Sequence, residues 1–392
     1  MSESPRCRRA SARDAYPIAD LYRRVYSGTY SDPMMSHPEL LVESLAKSEY
    51  HWIVAESAGD IVGSVVYRYD PINALAKVYG GVVDPACRGH NLTEEMMKFG
   101  YRGLSETDPP VEVVYATTRT VSPAPQKLTA NLGYKKLGIF PNVHKTAGYE
   151  THCLTALFSE NAMRSRFADF ALHPKVVPLF ELARKECGLP ALPSVSQEHV
   201  DRLRVTSNSE GRSPLILEFV QAPYFVKHRF EEQKRSSRGH HWFYPFHEPN
   251  LMLTNADQSA EVFCYFSQAD KHCVLIGIGD KKGEGIYRIL STATEVLHDL
   301  GARYMECIIR ADEVEKTEMA LQAEFIPCAY FPSMHGSGKL RHDFVVFSRS
   351  FEILNFRNLK LEGVNRQYLL QYFNTWKEIS LSAISDSSGT EG

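Results

Sequence analysis

The chain has 392 residues, 43% of them hydrophobic and 23% charged, which is enough for two ordinary globular domains at roughly 100 to 200 residues each. Its 44 basic and 47 acidic residues sum to a net charge of −3, which argues against a dedicated binder of nucleic acid or of an anionic membrane. No apolar run approaches the roughly 18 residues of a membrane span, and residues 1–14 lack the apolar core of a secretory leader, so a cytoplasmic protein is expected.

Eight cysteines (Cys7, Cys87, Cys153, Cys187, Cys264, Cys273, Cys307 and Cys328) are dispersed without a CxxC pair. That spacing predicts reduced, mostly buried thiols, with no metal site and no disulfide framework.

In chain order, residues 15–26 place Ile18, Leu21, Tyr22 and Val25 on one helical face, and a second helix is expected over 38–46 after a Ser/Asp/Pro-rich turn. The β-branched runs 51–56 and 61–68 flank Ser57-Ala58-Gly59-Asp60, the pattern of a hairpin, and 77–83 supplies a third strand. A polar loop then leads into a helix that begins near Leu92 or Thr93 and runs to Leu104. A strand over 111–117, a helix over 124–132 closed by Gly133, and strands over 135–140 and 151–158 complete an α/β domain spanning 1–158. Residues 159–212 start with helical periodicity and pass through Pro190 and Pro193 into a polar tract, which predicts a helical linker.

Strands return at 215–220, 250–255, 260–266 and 273–279, followed by a Gly-containing turn over 280–285 and a helix over 286–300. The second half echoes the first. Phe140-Pro141-Asn142-Val143-His144 recurs as Phe331-Pro332-Ser333-Met334-His335, and the same offset carries 113–117 onto 304–308 and Tyr134 onto Phe325. Two tandem copies of one fold are therefore expected, the second over 213–381 and ending in a helix near 366–376, with a polar, disordered tail over 382–392.

The most informative stretch is 78–104, an apolar strand, a loop and a helix start. The first four N–H groups of a helix lack intrahelical partners and, with the helix dipole, make an anion site. The dipole alone is worth about 0.3 to 1 kcal/mol, too little to hold a nucleotide, so Arg88 is expected to add charge. Gly89 lets backbone approach the ligand, and Asn91 tolerates positive φ. If the strand splays from its neighbour near Val82, its free backbone groups can pair with an extended ligand. An acyl-pantetheine arm ending in pyrophosphate suits both features.

Val82-Val83-Asp84-Pro85-Ala86-Cys87-Arg88-Gly89-His90-Asn91-Leu92, in its strand–loop–helix setting, resembles the cofactor loop of the GNAT superfamily of acyl-CoA-dependent N-acyltransferases. The resemblance covers residues 7–158. It implies a mixed α/β sheet flanked by helices in each of two tandem GNAT-like domains, and acetyl-CoA as co-substrate without a metal. It further implies that Val82 offers backbone to the thioester carbonyl and Val83 to the pantetheine. Gly89, His90, Asn91, Leu92 and Thr93 then take the pyrophosphate, with Arg88 in the family's Arg/Gln position and Asn91 and Thr93 replacing its glycines. Ser122 and Gln126 fall along the same cofactor channel. Thr129 stands where the family often has a tyrosine acid.

Acyl transfer also requires a base, because an amine of pKa about 10.4 is almost wholly protonated at neutral pH. Tyr79 and Glu150 are the leading candidates and His144 a third, each with an equally ordinary structural reading. Arg235, Arg238, His240, His241 and Trp242, with His247 beyond, are read as a solvated loop without a metal-ligand set. In the second copy Asp280 and Glu284 put negative charge where Arg88 stands in the first, so that copy is expected to be degenerate and to shape the acceptor pocket or an interface. The resulting expectation is an N-acetyltransferase acting on a primary amine of a small molecule. The alternatives are a non-catalytic acyl-CoA binder or regulator, and a protein-amine acetyltransferase.

Overall fold

A computed structural model describes residues 5–28, 30, 32–145, 148–191, 194–198, 200–201, 214–236 and 243–387. The first copy runs β1 (Arg6–Arg9), α1 (Ala15–Tyr26), α2 (Pro38–Ala46), β2 (Tyr50–Ser57), β3 (Asp60–Asp70), β4 (Leu75–Val83), α3 (Leu92–Ser105), β5 (Val113–Arg119), α4 (Ala124–Asn131), β6 (Lys135–Lys145) and β7 (Tyr149–Phe158). In the linker α5 (Glu160–Arg164) and α6 (Val177–Cys187) accompany a short parallel pair, β8 (Ala171–Leu172) with β9 (Ser194–Val195). The second copy runs β10 (Glu218–Val220), α7 (Pro223–Ser236), β11 (Leu251–Thr254), β12 (Ala260–Ser267), β13 (His272–Asp280), α8 (Ile286–Asp299), β14 (Tyr304–Arg310), α9 (Val314–Gln322), β15 (Ile326–Ser337) and β16 (Leu340–Ser350).

A last helix, α10 (Asn365–Ser387), continues past the expected boundary at Leu381. Once Tyr368 and Tyr372 are packed in the core, adding residues to the helix costs little. Among the described residues no helix is long and apolar enough to cross a membrane.

Local chemistry explains the layers. On α1, Ile18, Leu21 and Tyr22 are buried against the sheet while Tyr16 faces solvent, the outcome of apolar spacing by three and four. α1 and α2 cover one face of β2–β4, and Met96 and Met97 of α3 cover the other. With helices on both faces, β3 is buried without interruption from Ile61 to Tyr67, so its sequence reads as a continuous apolar run rather than an alternation.

The two copies do not keep separate sheets. Among the described residues fourteen strands form one sheet in the order β1-β2-β3-β4-β5-β7-β6-β15-β16-β14-β13-β12-β11-β10, a palindrome in which each strand mirrors its counterpart. The centre is an antiparallel contact between Gly138 of β6 and Ala329 of β15, residues related by the repeat offset. A Cβ on Gly138 would lie 2.1 Å from that of Ala329, so only glycine permits this approach.

Each central strand carries matching bulges, at Lys136/Gly138 and Pro327/Ala329. The recurring Phe-Pro segments supply the second bulge in each strand, where Asn142 (φ 62°) and Ser333 (φ 51°) adopt left-handed conformations at equivalent positions. Asn142 donates to Ser350 Oγ at 3.2 Å and to the Ile353 carbonyl at 3.3 Å, tying the first copy to the second.

Candidate active site

The site begins with a defect in β4. Its ladder to β3 shifts register between Ser64–Val82 and Val66–Tyr79, so that Gly80 and Gly81 bulge opposite a single residue. Gly80 has φ 66°, and a side chain there would collide with Met35 and with Tyr22, whose hydroxyl donates to the Gly80 carbonyl. On the other side β4 pairs with β5 only at Leu75–Val113, Ala76–Val114 and Lys77–Tyr115, and then parts from it. The expected splay is present, and it opens earlier than Val82. A glycine pair inside an apolar strand marks such bulges, and Gly80-Gly81 could have been read that way.

Beyond β4, Asp84 accepts from the Ala86 N–H at 3.0 Å and Arg88 Nε donates to the Val83 carbonyl at 3.3 Å. Gly89 (φ 87°) and Asn91 (φ 53°) turn the chain into α3. Among the described residues no side chain caps this helix, whose N-cap residue Asn91 sits in the left-handed region. Leu92 anchors the start in the core, while Arg88, Gly89, His90 and Asn91 are exposed. Thr93 is half-buried, with its methyl group beside Gly81. The arrangement leaves an open, uncapped helix start next to a guanidinium.

The second copy fills the same place internally. Asp280 accepts from the N–H groups of Gly283, Glu284 and Gly285, each at 2.9 Å, so its carboxylate occupies the nest a ligand's anion would need. Asp280 is also not where the sequence reading put it. It ends β13 as Val83 ends β4, and the loop after it is shorter, 281–285 against 84–91. Lys281 and Lys282 are drawn off to Glu261 at 3.1 Å and Asp257 at 2.6 Å.

Tyr79 lines a cavity of about 400 Å3 between the copies. The first copy contributes Asp32, Met34, Tyr50, Arg68 and Lys77, and the second contributes Phe246, His247, Glu248 and Tyr265. Phe246 is fixed there by its carbonyl, which accepts from Arg68 at 2.9 Å, and by its ring, which stacks on Tyr115 at 6.1 Å. Burial shifts the titration of the groups around the cavity. It raises the Asp32 carboxyl against the pull of the Met34 N–H and Lys77, and it lowers the Lys77 ammonium against the pull of Glu306 and Asp32. His247 is pushed down to about 3, chiefly by burial, and is neutral at physiological pH.

The remaining expected residues divide. Burial pushes the Tyr79 hydroxyl well up, which favours its protonated form. Glu150 is not among the groups lining the cavity. Its carboxylate is held by Arg119 at 2.6 and 2.8 Å. His144 faces Asp270 of the second copy at 3.3 Å. Ser122 Oγ accepts from the Ala124 N–H at 3.3 Å, on the turn after β5.

Gln126 requires a correction. Its side chain is buried, donates to the Lys360 carbonyl at 2.7 Å, and accepts from the Glu362 N–H at 3.1 Å and Asn365 Nδ2 at 2.9 Å. It clamps the C-terminal segment, which commits the amide that was expected to contact a cofactor. The Thr129 hydroxyl is buried and bonds back to Pro125 and Gln126 within its own helix. His247, read as part of a solvated loop, lies in the cavity with Tyr244 and Tyr265 against its ring. Arg238, His240, His241 and Trp242 lie outside the described residues. Among the described residues no group of three potential metal ligands forms.

Asp32 and Lys77 were missed. Asp32 precedes a proline and reads as a turn, and Lys77 reads as the polar start of a strand. Only the fold brings them together.

No family model matches the chain, and no curated protein matches it. Solved structures resemble part of it. The ribosomal-protein-S5-alanine acetyltransferase of Vibrio fischeri is 18% identical, with a TM-score of 0.36, over 41% of this chain and 97% of its own. An acetyltransferase of the GNAT family from Streptococcus pneumoniae is 14% identical, with a TM-score of 0.35, over 40% and 99%. The phosphinothricin acetyltransferase of Sinorhizobium meliloti, solved in complex with acetyl-CoA, is 15% identical, with a TM-score of 0.35, over 40% and 89%.

Proposed function

We propose that the protein is an acyl-CoA-dependent N-acyltransferase that moves an acetyl group from acetyl-CoA to a primary amine of a small molecule. The observation that carries this reading is the course of β4, whose bulged and splayed segment runs from the cavity at Tyr79 to the uncapped helix start at Leu92. One end suits a pyrophosphate and the other an acceptor.

In this reading Arg88 and the backbone of Gly89 to Thr93 hold the pyrophosphate, Val83 pairs with the pantetheine, and Ser122 lies along the same arm. Backbone N–H groups at the bulge, that of Val82 included, stabilise negative charge on the thioester oxygen, an effect worth about 2.7 to 4 kcal/mol per donor in well-studied sites. The acceptor arrives as an ammonium. Asp32, with its carboxyl raised by burial, takes one proton and leaves a nucleophilic amine. The N–C bond forms as the C–S bond breaks, and the amine's second proton passes to the departing thiolate. Tyr79 donates a hydrogen bond that orients the acceptor.

Acetyl-CoA binding, followed by thermal shift, and thiol release against an amine panel test the proposal. Arg88→Ala removes a charge-assisted contact worth about 1.5 to 3 kcal/mol and should weaken binding on the order of 10- to 100-fold. Absence of acetyl-CoA binding by the native protein refutes the reading. Binding without thiol release for any amine favours a non-catalytic acyl-CoA binder instead.

A further inference from the structure

The cavity between the copies holds more charge than acyl transfer to a plain amine requires. Two of its four charged side chains are already committed. Arg68 is paired with Glu49 at 3.2 Å and donates to the Phe246 carbonyl, and Glu248 is paired with Lys227 at 2.6 Å. The other two, Lys77 and Asp32, have no ion-pair partner among the described residues. The Asp32 carboxylate accepts from the Met34 N–H at 3.0 Å, and Lys77 lies over the rings of Tyr79 and Tyr115 at 5.8 and 5.9 Å.

Both side chains are half-buried, and a charge partly withdrawn from water gains from a partner that offsets its desolvation. Here one spare cation and one spare anion line the same cavity. Tyr50, Tyr265, Phe246 and Met34 supply apolar wall around them. The Lys77 ammonium is further supported by Glu306, which lies near enough to favour its charged form, and is opposed by Arg68.

We propose that the acceptor is a small zwitterion, an amine that also carries a carboxylate, with the amine directed to Asp32 and the carboxylate bound by Lys77. This rests on the acyltransferase reading given above and narrows it to one substrate class. A plain amine satisfies Asp32 and leaves Lys77 without a direct ion-pair partner, whereas an amino acid completes both. A cavity of about 400 Å3 is at the small end of ligand sites and suits a molecule of that size.

The test compares thiol release for amino acids, each beside its decarboxylated amine, in the native protein and in Lys77→Met. The native protein should favour the amino acids by roughly 10- to 100-fold in kcat/KM, the range of one charge-assisted contact. Lys77→Met should erase that ratio by lowering the amino-acid value while thermal-shift binding of acetyl-CoA is kept. Equal or better turnover of the decarboxylated amines by the native protein overturns the inference and leaves the acyltransferase reading standing. So does a Lys77→Met variant that retains the native ratio. Acetyl-CoA binding without release for either series overturns transfer itself, and the inference with it. The native comparison decides even where Lys77→Met does not fold.

Discussion

Replacing Gln126 with alanine separates two incompatible roles for one side chain. As a cofactor contact it would matter to acetyl-CoA affinity. As the clamp seen in the fold it matters to the C-terminal segment. Its amide makes three hydrogen bonds, to Lys360 at 2.7 Å, Glu362 at 3.1 Å and Asn365 at 2.9 Å, and both Gln126 and Asn365 are almost wholly buried. A neutral hydrogen bond contributes about 0.5 to 1.5 kcal/mol net, and a buried partner left unsatisfied costs about 1 to 3, so Gln126→Ala should destabilise the protein by about 2 to 4 kcal/mol. The urea midpoint should fall. Amide exchange at Glu362 should accelerate, because the acceptor of its N–H has gone. Acetyl-CoA affinity should change by less than about threefold, under 1 kcal/mol. An unchanged urea midpoint together with a loss of affinity beyond about tenfold would refute this reasoning and return Gln126 to the cofactor channel.

Two further outcomes follow from the electrostatics. Asp280→Ala removes the anion that holds three amides at the start of α8, so exchange at Gly283, Glu284 and Gly285 should speed up and stability fall by about 1 to 2 kcal/mol. Unaltered protection of those amides would count against an internally filled nest. Asp14 is held down to about 2 by the hydrogen-bonded Arg8 guanidinium, against an ordinary 3.8, and its residue is only 4% exposed. Because the folded value lies below the unfolded one, this stabilisation is complete above about pH 4 and is lost as pH falls toward 2, amounting to about 2 kcal/mol. Asp14→Asn should lower stability at neutral pH and flatten the acid limb of the stability curve. An acid limb identical to the native one would contradict the assignment.

Much of the fold was legible because it is written in local periodicity. The spacing of Ile18, Leu21 and Tyr22 marks α1, and the β-branched runs mark β2 and β3. The repeat was legible because a left-handed residue and a bulge recur at one offset, in Asn142 and Ser333. The merging of two sheets was not, since it turns on one close approach at Gly138 whose partner lies in the other copy. Gln126 failed for the same physical reason. Its helix periodicity is ordinary, and its partners stand more than two hundred residues downstream. The loop from β4 into α3 was the opposite case, because strand, loop and helix start are contiguous in sequence. The cavity was not, because Asp32, Lys77 and His247 belong to three distant segments.

The mirrored strand order bears on how the two halves of one chain can differ. An edge-paired dimer of identical subunits, joined end to end into a single chain, yields a palindromic sheet with its axis at one central contact. In such a symmetric pair any change in one loop after β4 would fall on both copies. A single chain lifts that constraint. Here the second copy fills its own loop with the Asp280 carboxylate, while its segment carrying Phe246 and His247 forms a wall beside the first copy. Division of labour between the halves is thus a property that no symmetric dimer can have.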